Sequence, residues 1–225
     1  MTETTTIRPT DTLADLAATR AGASRAFARR NLDFCCHGQI SLADVCAKKG
    51  IDVATLIGEI EAEERVDENF ERWDARSIAD LVAHVVGHFH DSHRAELPRL
   101  VAMAERVEKV HGDKPNCPRG LAEHLKQLEA DLRQHMQKEE MILFPMLVSG
   151  EGAGAAGPIQ VMEREHEDAA VILAAMRTLT TDHVPPAEAC GTWRALYLGL
   201  AEFEHDLMQH VNLENHVLFP RALRA

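Results

Sequence analysis

Apolar positions in this chain recur at helical spacing, and from Ile78 onward they predict four long helices, roughly 77–110, 119–147, 158–179 and 188–221. Gly and Pro mark the breaks: HGDKPNCPRG (111–120), LVSGEGAGAAGP (147–158) and TTDHVPP (180–186). Pro98 falls inside the first long helix and is expected to kink or restart it. Capping-box-like segments TLAD (12–15), SLAD (41–44) and SIAD (77–80) each open a run of helical periodicity. The first two predict a helix near 12–30 and a short one ending before Gly50. Another runs from about Val53 into the acidic stretch Glu59 to Glu71. The expected organisation is all-α: a small helical N-terminal domain over 1–65, holding the loop NLDFCCHG (31–38), and a four-helix bundle over 66–225.

The stripes of the four long helices are apolar except at a few matched places. In the second, Leu121, Leu125, Leu128 and Leu132 lead into His135 and Glu139, followed by Ile142 and Met146. The fourth repeats this with Leu196, Leu200, Phe203, Leu207, His210, Glu214 and Val217. In the third, Ile159, Met162, Ala169, Leu173 and Met176 surround His166; in the first, Val82, Val86, Leu97 and Leu100 surround His90. HMQKEEMILFP (135–145) and HVNLENHVLFP (210–220) share one template, and the pairs His90/His135 and His166/His210 are 45 and 44 residues apart. The bundle therefore reads as a duplicated αα-hairpin. One His-xxx-Glu alone is weak in a chain with 13 histidines; the shared Leu-Phe-Pro register and the burial phase make the pair informative.

Two carboxylates facing four imidazoles in an apolar core need a compensating charge, which a metal supplies. His90, His135, Glu139, His166, His210 and Glu214 suit two metals, two histidines on each and both glutamates bridging. Structural zinc favours closed four-coordinate sites, often with thiolates, and no Cys-xx-Cys occurs here, so two non-haem irons joined by an oxo or hydroxo bridge are expected, with manganese second. Glu163/His166 and Glu202/His205 have the spacing of ferritin-type carboxylate sites, but helix phase turns His205 away from the stripe. His93 is expected beside His90 as a group supporting the ligands, whereas His84 and His88 are expected to be solvated.

Composition narrows the function further. Lys plus Arg total 24 against 36 Asp plus Glu, a formal charge of -12, which argues against a nucleic-acid partner. No stretch is long and apolar enough for a membrane span, and the N-terminus lacks an export-type pattern. Five cysteines, two of them adjacent (Cys35 and Cys36), fit a reduced cytoplasmic protein.

The segments LDFCCHG (32–38), HDSHRAELP (90–98), HMQKEEMILFPM (135–146), GPIQVMEREHEDA (157–169), PPAEAC (185–190) and HVNLENHVLFPRAL (210–223) together resemble the iron-sulfur cluster repair di-iron proteins. The resemblance covers essentially the whole chain and implies a hemerythrin-like antiparallel bundle behind a cysteine-pair domain. It implies the same six metal ligands, and a cytoplasmic stress protein that restores clusters damaged by nitric oxide or oxidants by donating iron. The implied partners are proteins with damaged clusters and small ligands such as nitric oxide or dioxygen, with a homodimer as the expected assembly. Reduction of nitric oxide at the two irons, making the chain an enzyme, and reversible dioxygen or iron binding stay open as alternatives. Cys35 and Cys36 are a candidate thiol site separate from the metal ligands. His37 departs from the family loop, which commonly reads Cys-Cys-Gly-Gly.

Overall fold

A computed structural model describes residues 6–65 and 70–224, with the side chain of residue 153 excepted. The described residues are helical, with a single isolated β-bridge between Thr12 and Ser41 and no strand. They divide into two compact units: one holds the residues up to Ser77 together with Met208–Arg221, the other Ile78–Leu207 with the residues after Arg221.

In the first unit the N-terminal helices are α1 (Leu13–Thr19), α2 (Ala23–Arg29), α3 (Leu42–Lys49) and α4 (Val53–Glu64). Two of the capping signals work as the sequence suggests: Thr12 accepts from the Asp15 N–H and Ser41 from the Asp44 N–H. Helix α4 is capped by Asp52, which accepts from the Thr55 N–H. The single helix expected over 12–30 is instead two, broken at Gly22, whose φ of +75° is left-handed. A side chain there would collide with α4, since a Cβ on Gly22 would lie 2.1 Å from Glu63 Cβ. Leu13, Phe27, Phe34, Leu42, Cys46, Leu56 and Ile60 form the core. The acidic end of α4 is a paired face: Glu64 binds Arg20, Glu63 binds Arg25 and Arg29, and Glu59 binds Arg30. Helix α4 ends at Glu64, and residues 66–69, where its expected continuation and the interdomain boundary fall, lie outside the described residues.

The second unit is built from long helical rods. The first rod joins α5 (Ile78–His84) to α6 (Asp91–His111) through a π-helical turn, π1 (Val85–His90). The second joins α7 (Leu121–Lys138) to α8 (Phe144–Ser149) through π2 (Glu139–Leu143). The third, α9 (Gly152–Thr180), is α-helical throughout. The fourth begins as α10 (Gly191–Leu213) and continues, within the first unit's segment, through π3 (Glu214–Leu218) into α11 (Phe219–Ala222). Within the second unit α7 packs against α6 and α9.

Two expectations about breaks are corrected. Helix α6 continues through Pro98 without restarting, and the irregularity of this rod lies upstream in π1. The Gly- and Ala-rich segment after Gly150 is not a loop but the start of α9. Gly150, at φ +82°, ends α8; Gly152 is needed because a Cβ there would sit 1.9 Å from the Ala222 carbonyl oxygen. Helix α9 continues through Pro158.

The π turns also shift the buried register, because each adds a residue to one turn. After π2 the inward residues are Leu143, Phe144 and Leu147, while Ile142 is 55% exposed instead of buried. Before π1, Leu81 and Val85 are fully buried rather than Val82 and Val86. The third rod has no such turn, and Ile159, Met162, His166, Leu173 and Met176 are all buried as its α period predicts.

Gly22→Ala should destabilise the protein by more than about 1 kcal/mol, since both the left-handed φ and the contact with Glu63 oppose a Cβ. Thermal and urea denaturation followed by circular dichroism will measure this. Gly50→Ala, with φ +66° but nothing near its Cβ, should cost less.

Candidate metal centre

Each inward histidine comes from a helix stripe that is otherwise apolar, and all are almost fully buried: His90 and His210 at 0%, His135 and His166 at 3%. Glu139 and Glu214 are also at 0%. His135 and Glu139 stand one turn apart, with His135 Nε2 3.3 Å from Glu139 Oε2; His210 and Glu214 repeat the pair at 3.1 Å. From the first rod, His90 Nε2 lies 3.3 Å from the same Glu139 oxygen. From the third, His166 Nε2 lies 3.1 Å from His135 Nε2. Every histidine thus turns Nε2 toward the cluster.

Two overlapping groups of buried donors result. One is His90, Glu139, His210 and Glu214; the other is His135, Glu139, His166 and Glu214. Within each group one donor atom per residue lies within 4.8 Å of the rest, and both carboxylates are common to the two. Four neutral nitrogen donors and two carboxylates, all desolvated, are a donor set that fits divalent or trivalent transition metal. The residues therefore fit the iron that the sequence leads one to expect.

The π turns coincide with the donors. Turn π1 ends on His90, π2 begins on Glu139 and π3 begins on Glu214. In π2 the Glu139 carbonyl accepts from the N–H of Phe144, five residues on, and in π3 the Glu214 carbonyl accepts from that of Phe219. Each is followed at once by a proline, Pro145 or Pro220, which has no N–H for the ordinary α ladder. The Leu-Phe-Pro half of the repeat is thus bound up with the backbone widening at the donor carboxylates.

Two acidic residues that periodicity did not single out complete the arrangement. Glu140 Oε1 accepts from His90 Nδ1 at 2.7 Å, and Glu165 Oε2 from His135 Nδ1 at 3.0 Å. These bonds hold the proton on Nδ1 and leave Nε2 as a donor to metal, the usual carboxylate–histidine arrangement of metal sites. Arg94 and Lys138 in turn pair with Glu140 and Glu165. The His135 bond, reinforced by Lys138 against partial burial, draws the Glu165 carboxyl down to about 2. Burial pushes the Glu140 carboxyl up, but the bonds from His90 and Arg94 outweigh it and leave it below the usual range. The signal was present as the tandems Glu139-Glu140 and Glu165-His166. A neighbour about 100° around the helix points sideways toward the adjoining rod, which stripe analysis leaves out. Val82 and Val86, displaced from the core by π1, line a surface groove with Glu140, Phe144, Pro145 and Val148.

His93 is 1% exposed, with its ring against Phe89 and Phe203, and is not in either donor group. The ferritin-type alternative finds no support: Glu163 and Glu202 are exposed. Of the two histidines expected to be solvated, His88 is exposed and His84 half-buried, their rings stacked at 5.0 Å.

Cys35 and Cys36 form a cluster of their own with Asp33, their sulfurs 3.7 Å apart. Cys35 is buried and Cys36 half-buried. The hydrogen bond shared with Cys36 and the burial push the Cys35 thiol well above the usual thiol range. This loop is tied to the last helix within the same unit: His216 Nε2 donates to the Cys35 carbonyl at 2.8 Å and Asn215 Nδ2 at 3.3 Å.

An all-α bundle enclosing buried histidines and carboxylates defines a helical cation-binding protein. The family profile described as Hemerythrin HHE cation binding domain matches residues 81–222, and that described as ScdA_N, a domain of unknown function (DUF542), matches residues 9–64. Curated relatives named iron-sulfur cluster repair protein YtfE match nearly end to end. The one from Musicola paradisiaca (strain Ech703) is 50% identical over 215 residues, covering 94% of this chain and 96% of the relative. Those from Dickeya chrysanthemi (strain Ech1591) and Pectobacterium carotovorum subsp. carotovorum (strain PC1) are 48% and 47% identical with the same coverage. The chain belongs to the YtfE family of hemerythrin-domain proteins.

Replacing Glu140 or Glu165 by Gln should keep the fold but weaken iron binding about 10- to 100-fold, because the histidine each one holds loses its orientation and basicity. Chelator competition on the iron-loaded variants, with helicity checked by circular dichroism, measures this. Complete removal of iron from the wild-type chain should lower its melting temperature, since the buried carboxylates and imidazoles lose their compensating charge. The stabilisation by iron amounts to about 4 kcal/mol when free metal stands a thousandfold above its Kd.

Proposed function

We propose that this chain is a di-iron protein that repairs iron-sulfur clusters damaged by nitrosative or oxidative stress, and that it does so by donating iron. The observation that carries the reading is the pair of fully buried carboxylates, Glu139 and Glu214, shared by two groups of histidine donors. In this reading His90 and His210 serve one iron, His135 and His166 the other, and both glutamates span the two. Support for the repair role comes from relatives that carry that name and align over 94% of this chain.

Bound iron supplies a redox-active Lewis-acid centre, and is also the cargo. The chain's own part is to hold that cargo firmly enough to load yet loosely enough to release. Glu140 and Glu165 keep Nδ1 of His90 and His135 protonated, so Nε2 stays available. Arg94 and Lys138 keep those carboxylates ionised. Leu132, Leu143, Phe144, Phe203 and Leu207, all nearly buried, exclude bulk water from the interior. Residues 1–65 act as a thiol-bearing domain through Cys35 and Cys36, and 66–225 as the metal-holding domain. A cytoplasmic setting agrees with the five cysteines, all of which are in the thiol form.

Glu139→Ala combined with Glu214→Ala should leave a helical protein holding at most one iron, weakly, and unable to restore a nitric-oxide-damaged [4Fe–4S] protein in a reconstituted assay. Metal analysis with Mössbauer spectroscopy reads the first part, recovery of the target's activity the second. A double mutant retaining two coupled irons would sink the ligand assignment, and full repair by iron-free protein would sink the donor role.

A further inference from the structure

The loop after α2 carries a second set of donors that the di-iron reading does not use. Asp33 Oδ1 accepts the backbone N–H groups of Cys35 at 3.1 Å and Cys36 at 3.0 Å, and lies 3.3 Å from Cys35 Sγ. The two sulfurs are 3.7 Å apart, and one donor atom of each of the three residues lies within 4.8 Å of the others. A tetrahedral ion with metal–sulfur bonds of about 2.3 Å and a metal–oxygen bond of about 2.0 Å holds two sulfurs about 3.8 Å apart, and sulfur and oxygen about 3.5 Å apart. The Cys35–Cys36 and Cys35–Asp33 separations are thus already close to those of a tetrahedral ion, and the third pair of donors lies within 4.8 Å.

The remaining contacts hold this shape. Asp33 Oδ2 accepts from His37 Nδ1 at 2.6 Å, and this imidazole is 80% exposed. A carboxylate ligand braced by a histidine is the outer support that metal sites use. The Cys35 carbonyl is gripped by His216 and Asn215, while His216 Nδ1 accepts from Gln39 Nε2 at 3.0 Å. With Nε2 as donor and Nδ1 as acceptor, the His216 imidazole serves both contacts at once.

We propose that Asp33, Cys35 and Cys36 form a binding site for one thiophilic divalent cation, with His37 as the residue that positions Asp33. Binding replaces the Cys35 and Cys36 thiol protons, both of which pass to solvent, and the three residues would fill three positions of a tetrahedral ion. Thiolate and carboxylate donors together select Zn2+, Cd2+ or Fe2+ over Mg2+ and Ca2+. The residues that grip the loop, Asn215 and His216, directly follow Glu214. Their grip on the loop holds whether or not Glu214 binds iron, so the cation site does not rest on the di-iron reading.

The test titrates Cd2+ into the full-length, iron-loaded protein under reducing conditions and follows the thiolate-to-cadmium charge-transfer band together with the di-iron spectrum. The expected result is a band saturating at one equivalent, with the di-iron spectrum unchanged. Cys35→Ser with Cys36→Ser should abolish it, and His37→Gly should weaken binding about tenfold. Asp33→Asn should weaken binding more, and if that variant loses helicity the His37 and cysteine variants decide alone. A band that survives the cysteine double substitution, no band at all, or cadmium entering at the expense of the di-iron spectrum would overturn the proposal. Failure of the wild-type chain to take up two irons on reconstitution would overturn the di-iron reading while leaving the loop titration interpretable.

Discussion

Glu139 and Glu214 are both completely buried, and a desolvated carboxylate in an apolar interior carries a cost of several kcal/mol unless charge and hydrogen bonds compensate it. Most of the second unit can be understood as the means of doing so. Four histidines come from four rods, two carry carboxylates on their Nδ1 side, and those carboxylates are neutralised by Arg94 and Lys138 nearer the surface. The outer carboxylates are thus held by cations nearer the surface and in turn hold the imidazoles inside them. The carboxylates and imidazole nitrogens at the middle are a donor set that a transition metal fits.

The π turns show what this centre demands of the backbone. A regular α-helix offers donors at fixed angles, whereas a wider turn lets the chain advance one residue without advancing a full α step. Turns of this kind stand at His90, Glu139 and Glu214, and the two that precede Phe-Pro also place a proline where the ladder has already been opened. Local backbone irregularity, the repeat in the sequence and the donor positions are therefore a single feature. The third rod contributes only His166 and has no need of a widened turn.

The N-terminal unit shows a second use of polar tethering. Its helices are short, and Arg20, Arg25, Arg29 and Arg30 bind the acidic face of α4 across its surface. Apart from the part-buried Arg20–Glu64 pair these are solvent-accessible and contribute roughly 0 to 1 kcal/mol each, so the apolar core of Leu13, Phe27, Phe34, Leu56 and Ile60 does most of the holding. The unit also carries the cysteine loop, whose backbone is gripped by the two residues following Glu214.

The sequence alone determined the all-α class, the four long rods and which histidines and glutamates turn inward, because helical periodicity is local. It also carried the caps at Thr12 and Ser41, which depend on residues within one turn. Tertiary structure decided what lies across gaps in sequence. Gly22 splits a helix because Glu63 comes close, and Gly152 lets a helix begin beside the Ala222 carbonyl. Leu81, Val85, Leu143 and Leu147 replace the expected Val82, Val86, Ile142 and Met146 because period counting assumes an unbroken α ladder. Glu140 and Glu165 reach histidines on neighbouring rods from positions that their own helices mark as sideways. Asp33, Cys35 and Cys36 are adjacent in sequence, yet their close spacing comes from a folded loop held by His216 and Asn215, about 180 residues further along the chain. Periodicity reads along a helix, and these features are set by contacts between helices.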